Sequence, residues 1–303
     1  MRALLIAVLA VLVASYFYAC RAARIMEEED AKADRDPLTG IIRGVEVITI
    51  LPPEPWTDSP KGAILFIHGF LAGRDCFNGL GAMMAREGYV VRMMRLPGHG
   101  TSTADLAHQK KGANWQAVKT EYEALAAQYD KISVVGFSMG GTLTTILASR
   151  QEVERIVLLA PFYRITYFWY YIIPPEWATR ATSLLVRYVT RPEGMINVND
   201  KSSVGQFMFY RVTPLPAVIR LFDLAKIAAD EENLEKIDCP VLMIHAHGDD
   251  TASPRAARKV FEKMDSEDKR WVWLEKSNHI ICWDYDKEIV FENVRKFFAE
   301  DQQ

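Results

Sequence analysis

Cysteine is scarce in this chain of 303 residues: there are four, at positions 20, 76, 239 and 282, with no C-x-x-C pair and no zinc-type spacing. A disulfide-stapled secreted fold is therefore not indicated, and the three outside the N-terminal segment read as small buried hydrophobes. Neither sign of charge dominates, because 36 lysines and arginines face 39 acidic residues for a net charge of −3. No basic face is advertised, which argues against nucleic acid as a partner. Internal repeats are absent, and with 50% hydrophobic and 25% charged residues the chain is neither collagen-like nor disordered. A chain of this length suits one large domain with an insertion and an ample core.

One long apolar run is present, and it lies at the start. Residues Ala3 to Cys20 (ALLIAVLAVLVASYFYAC) carry no charge and no proline. As a helix rising about 1.5 Å per residue, the run covers about 27 Å, close to a hydrocarbon layer roughly 30 Å thick. Tyr16, Phe17 and Tyr18 at its end, followed by Arg21 and Arg24, match an interfacial anchor. A cleaved signal peptide shares this basic-then-apolar opening, but Ser15, Phe17 and Ala19 make no small-x-small cleavage site. Phe17 to Cys20 is an equally poor lipoprotein box for acylation of Cys20. Residues 1–24 are thus read as a single-pass membrane anchor, with a signal segment as the competing reading. Arg2 favours an inside N-terminus, whereas Arg21, Arg24, Lys32 and Arg35 favour the opposite, so either side of the membrane stays open. Residues 25–43, acidic at Glu27–Asp30 and without periodicity, read as a linker.

Residues 44–303 form the body. Short apolar runs at Val45–Leu51, Ala63–Ile67, Tyr89–Met94, Ile132–Val135, Ile156–Leu159, Val241–His245 and Trp271–Leu274 have the look of parallel strands buried on both faces. Helical stretches at about 76–87, 115–129, 139–150, 254–264 and 285–299 alternate with them, and the last carries a helical stripe of Ile289, Val290, Val294, Phe297 and Phe298. This alternation predicts an α/β fold, a mostly parallel sheet with helices on both faces. It breaks at about 162–234, where an aromatic-dense segment (FYRITYFWYYIIPPEW) is followed by helical pieces near Ala181–Thr190 and Leu215–Ala229. That insertion reads as a cap over the sheet's C-terminal edge, its aromatics packing the cap down and lining an apolar acyl pocket.

The chemistry-bearing residues sit where this alternation turns. Strand Ile132–Val135 runs into Gly136-Phe137-Ser138-Met139-Gly140-Gly141 and then into a helix. This is G-x-S-x-G at a strand–turn–helix junction, where glycines permit a turn too sharp for side chains and the serine hydroxyl is left projecting. A serine needs a base to take its proton. His279, in the loop between the last strand and the final helix, opens on the same edge as Ser138 and is the candidate. His245 and His247 lack further metal-ligand neighbours and read as strand packing and loop turning; His108 reads as solvated, and His99 as shaping the turn Pro97–Gly100. The base needs a carboxylate to hold its tautomer. Asp249, first out of strand Val241–His245, is favoured, with adjacent Asp250 as the alternative. The oxyanion donors expected are the backbone N–H groups of Phe70, in the loop after the first central strand, and of Met139, next after the serine. His68 and Gly69 would shape that loop, which has no HGGG run.

These residues resemble the α/β-hydrolase superfamily over about 44–300, and within it the small-cap bacterial carboxylesterases and monoacylglycerol lipases. The matching landmarks are HGF at 68–70, PGHG at 97–100, GFSMGG at 136–141, HGDDTASP at 247–254, SNHIICWDYDKE at 277–288 and Tyr210-Arg-Val-Thr-Pro-Leu-Pro. The chain order Ser138, Asp249, His279 is that superfamily's order. The resemblance implies a serine hydrolase that cleaves a small-molecule ester, of a short or medium acyl chain or a monoacylglycerol, with no metal or organic cofactor. Amide cleavage, acyl transfer, or a non-catalytic membrane-tethered binding protein on the same scaffold are the alternatives. The N-terminal anchor and the long aromatic cap depart from that family's usual pattern.

Overall fold

The strands of the body are the apolar runs, and their burial explains why. In the computed structural model, which describes residues 2–167, 172–192, 194 and 196–299, strands β1 (Ile48–Ile50), β2 (Ala63–Ile67), β3 (Val90–Met93), β4 (Ile132–Phe137) and β5 (Ile156–Leu159) come first, followed after the insertion by β8 (Val241–Ala246) and β9 (Lys269–Leu274). They form one seven-stranded sheet in the order β1-β3-β2-β4-β5-β8-β9. Every pairing is parallel except that of β1, which runs antiparallel to β3 at the edge. All of β2, β4, β5 and β8 is buried, as a strand covered on both faces requires.

Successive residues of a strand point to opposite faces, so the sheet feeds two cores. On one face Val134, Leu158 and Met243 meet Val118, Leu143, Ile146 and Phe261. These come from α4 (Ala113–Ala126), α5 (Met139–Ala148) and α9 (Pro254–Lys263). On the other face Val135, Val157 and Ile244 meet Leu80, Met84, Val290, Val294 and Phe297, from α2 (Leu80–Arg86) and α10 (Lys287–Ala299). A short α3 (Thr103–His108), capped by the Ser102 side chain, lies between β3 and α4. The three body cysteines are buried and all four thiols are free.

Between β5 and β8 lie α6 (Pro175–Thr182), β6 (Tyr188–Thr190), β7 (Val212–Pro214), α7 (Leu215–Ala228) and α8 (Glu231–Leu234). Of the helix expected near Ala181–Thr190 only Ala181 and Thr182 are helical, as the end of α6. Its last three residues pair as β6, antiparallel to β7, because Tyr188 and Val189 find a partner strand in the cap exit. The aromatic residues at 168–171, part of the expected acyl-pocket lining, lie outside the described residues.

The stretch expected to be a linker is also different at its start. Helix α1 runs without a break from Arg2 to Lys32. It is held against the cap, with Ala22 and Ile25 buried. Thr190 donates its N–H to Tyr18 Oη at 3.0 Å, and Arg211 donates its N–H to Glu29 Oε1 at 3.1 Å. Those tertiary bonds keep the polar turn helical where composition alone suggests loose chain. The apolar side chains Ile6, Leu9, Leu12, Tyr16 and Phe17 remain exposed, and Leu9–Lys32 is long and apolar enough to cross a membrane.

Candidate active site

Strand β4 and helix α5 meet at Ser138, whose backbone has φ 53° and ψ −115°. A non-glycine residue in that region is strained and persists only where its surroundings hold it. Here they do: Ser138 donates its N–H to the Leu159 carbonyl at 2.9 Å, and its own carbonyl accepts from Thr142 and Phe162 N–H groups, each at 3.1 Å. The flanking glycines are dictated by space. A Cβ at Gly136 would overlap Thr144 Oγ1 and the Gly140 carbonyl, and one at Gly140 would overlap the Ile67 carbonyl.

The residues predicted from sequence converge on this serine. His279 Nε2 lies 2.9 Å from Ser138 Oγ, and His279 Nδ1 lies 2.7 Å from Asp249 Oδ2. All three side chains are buried. An ionised carboxylate only accepts hydrogen bonds, so Nδ1 carries the proton and Nε2 is left as acceptor for the serine hydroxyl. Asp249 Oδ1 accepts the N–H groups of Thr251 and Ala252, both at 2.8 Å. Burial alone would raise the Asp249 pKa; the neighbouring His279, with hydrogen bonds from His245 and His279, outweighs it and holds the carboxyl well below the usual range. Asp250 faces elsewhere, accepting from Asn197, Thr251 and Asn278 side chains.

His245 is more than strand packing. Fully buried at the end of β8, it sets Nε2 3.1 Å from Asp249 Oδ2 and 3.1 Å from the Ala252 carbonyl. Its Nδ1 has no hydrogen-bond partner among the described residues, so Nε2 is the protonated nitrogen that donates to the aspartate. A histidine four residues before an aspartate at a strand end was the available signal. His247 instead stacks on Trp273 at 4.0 Å. His108 is exposed, and the buried His99 has Nδ1 3.1 Å from the Pro97 carbonyl within the turn it was expected to shape.

The loop carrying Phe70 is shaped by His68. Its Nε2 accepts the Leu96 N–H at 2.9 Å, so Nδ1 is the donor to the Gly69 carbonyl, also at 2.9 Å. That carbonyl and the Phe70 N–H belong to one planar peptide, so holding the first aims the second the opposite way. Burial lowers the His68 pKa to about 4, keeping the ring neutral in this role. The cap exit clasps the same loop, with Tyr210 N–H donating to the Leu71 carbonyl at 3.3 Å. The Met139 N–H heads α5, where no intrahelical acceptor exists.

Two acids in the 277–288 motif, given no role from sequence, brace the His279 loop. Asp286 Oδ2 accepts from Lys276 N–H at 2.7 Å, Ser277 N–H at 2.9 Å and Ser277 Oγ at 3.0 Å. Asp284 accepts from Asn278 N–H at 2.7 Å, and from Asn199 and Asp200 N–H groups at 2.8 Å each, tying the loop to the insertion. Above Ser138 and His279 lies a cavity of about 140 Å³. Its apolar wall includes Phe70, Phe162, Ile165, Leu221 and Phe222. Among the described residues no cluster of histidine, cysteine and acids could hold a metal ion.

With this geometry in view, residues 58–286 match the protein family described as serine aminopeptidase, S33. The chain belongs to this family, an α/β-hydrolase of the esterase and lipase group. A thermostable monoacylglycerol lipase of Bacillus sp. (strain H-257) is 30% identical over 247 residues, 80% of this chain and 92% of that one. A carboxylesterase of Bacillus subtilis (strain 168) is 25% identical over 254 residues, 83% of this chain and 98% of that one. Among solved structures, one described under LipS and LipT, two metagenome-derived lipolytic enzymes, superposes with a TM-score of 0.74 at 25% identity, over 86% of this chain and 99% of the other. The mostly parallel sheet expected from the strand–helix alternation is the sheet observed, and the α/β-hydrolase fold that the motif resemblance implied is the fold of these relatives.

Proposed function

We propose that this α/β-hydrolase cleaves carboxylic esters through an acyl-enzyme on Ser138. The observation that carries the reading is the imidazole of His279, 2.9 Å from Ser138 Oγ and 2.7 Å from Asp249. As Ser138 Oγ attacks the ester carbonyl, His279 Nε2 takes its proton, and Asp249 stabilises the imidazolium that forms. The amides of Phe70 and Met139 receive the oxyanion. The C–O bond to the alcohol breaks and the alkoxide leaves with the proton from His279. Water then gives a proton to His279, attacks the acyl carbon, and releases the acid and Ser138.

The substrate is a short or medium acyl ester or a monoacylglycerol, which the small apolar cavity and the two relatives support. A series of p-nitrophenyl esters set beside monoacylglycerols is expected to show preference for chains of about four to ten carbons. Equal rates on acetyl and long-chain esters would refute that preference. A fluorophosphonate is expected to label the protein and not S138A; an unlabelled wild-type protein overturns the serine mechanism.

We further infer that α1 holds the protein at a membrane with the cap near the lipid. Ile6, Leu9, Leu12, Tyr16 and Phe17 are exposed on α1, and Ile172, Trp177 and Leu184 are exposed on the cap, to which α1 is tied through Tyr18 and Thr190. Exposed apolar surface on a spanning-length helix and on the cap it docks against is covered favourably by a bilayer. Carbonate washing should leave the full chain in the membrane pellet, and release to the supernatant refutes the anchor.

A further inference from the structure

The apolar cavity over Ser138 contains one residue that an esterase for neutral acyl chains has no use for. Among the described residues lining it, Arg191 is the only permanently charged one. It follows β6 directly, and its backbone N–H donates to the Arg211 carbonyl at 2.9 Å, fixing its position in the cap. The guanidinium lies over the Phe209 ring at 5.1 Å. Its one polar side-chain contact among the described residues is a long one, Nη1 to Asn197 Oδ1 at 3.5 Å. Asp250 is the acidic group whose charge acts on Arg191, but its oxygens already accept from Asn197, Thr251 and Asn278, and it forms no ion pair with Arg191. Burial pushes the Arg191 pKa down, with Asp250 opposing.

A guanidinium has five donors and remains charged; half-withdrawn from water with one long hydrogen bond to Asn197, it leaves most of its hydrogen-bonding capacity unused. Ordinary packing does not account for that, since methionine or leucine would fill the same wall without the desolvation cost. A ligand carboxylate meets the need, because its two oxygens match the planar fork. Resting on the ester-hydrolase reading above, we propose that Arg191 is an anion subsite that selects esters ending in a carboxylate a few bonds from the scissile carbonyl, such as half-esters of short dicarboxylic acids. The carboxylate is favoured over a phosphate by the small volume of the cavity, about 140 Å³.

The test compares 4-methylumbelliferyl hydrogen glutarate with the pentanoate ester, and monobutyrin with its glycerol 3-phosphate counterpart, in wild type, R191Q and R191K. The readout is the ratio of kcat/KM for the anionic over the neutral member, which cancels any loss of folded protein within one sample. The wild-type glutarate-to-pentanoate ratio should exceed one and fall by about tenfold or more in R191Q, the size of one charge-assisted hydrogen bond, with R191K between the two. A ratio that R191Q does not move, while the pentanoate is cleaved, overturns the subsite and leaves the esterase reading standing. A preference confined to the phosphate pair overturns the choice of carboxylate. Hydrolysis of no ester, with no fluorophosphonate labelling, overturns both readings.

Discussion

Replacing Asp249 by asparagine is a perturbation of one atom whose consequence follows from who donates to whom. Oδ1 accepts two backbone N–H groups, from Thr251 and Ala252, each at 2.8 Å. An asparagine must keep its carbonyl oxygen there, since an NH2 would leave both amides facing a donor. Its NH2 then takes the place of Oδ2, which faces His279 Nδ1 at 2.7 Å and His245 Nε2 at 3.1 Å. Both rings must present a lone pair instead. His279 does so by moving its proton to Nε2, and a protonated Nε2 cannot accept the proton of Ser138. Loss of the correct tautomer by this route costs about 10⁴ in kcat in a serine protease triad, or about 5 kcal/mol of barrier. D249N should therefore fold, judged by its circular dichroism, and hydrolyse a short p-nitrophenyl ester about 10⁴-fold more slowly. D250N should stay within about threefold of wild type, as expected for an exposed position away from the base. A D249N enzyme within tenfold of wild type, or a D250N enzyme equally damaged, refutes the reasoning.

Other outcomes follow from the same geometry. H245F removes a donor to a buried carboxylate and should lower kcat by about tenfold or more, with H245Q restoring part of it; full activity in H245F refutes a positioning role. G140A drives a methyl group into the Ile67 carbonyl and should cost about 3 kcal/mol or prevent folding, read from urea midpoints; a stable, active G140A would show that α5 can shift away from β2. Burial holds His68 at about 4 and His99 at about 3, against an ordinary 6.5. The unfolded chain therefore binds more protons just below pH 6.5, and stability falls as pH is lowered. Between pH 7 and 5.5 the loss should be about 1 kcal/mol per histidine, above the range in which ordinary carboxylates titrate. A urea midpoint that stays level or rises over that interval contradicts the neutral, buried assignment.

How much of this was legible in the sequence depends on how far apart the deciding residues are. The runs AILFI, ISVV, IVLL and VLMIH identify strands by themselves, because a strand buried on both faces needs apolar residues at every position. G-x-S-x-G at the end of one such run announces a sharp turn, since the glycines answer a local crowding. The loop that bears His279 is equally local, being whatever follows the last strand. These are short-range demands, and composition along a few residues carries them.

What remained was decided by residues meeting across the fold. Asp249 and Asp250 are the same side chain one position apart, and only the direction in which each leaves the strand sets one against His279 and the other against Asn197 and Asn278. His245 looks like any strand residue until the turn after β8 brings Asp249 back over it. Polar residues after the apolar run suggest loose chain, yet α1 continues to Lys32 because Glu29 finds the Arg211 amide, 182 residues away. Tyr188–Thr190 becomes a strand only because Val212–Pro214 lies beside it. No spacing in the sequence points Arg191 toward the serine 53 positions before it; the cap has to close over the sheet before that charge and that hydroxyl share a cavity. Periodicity records what each segment buries, whereas partnership between distant polar groups exists only once the chain has folded.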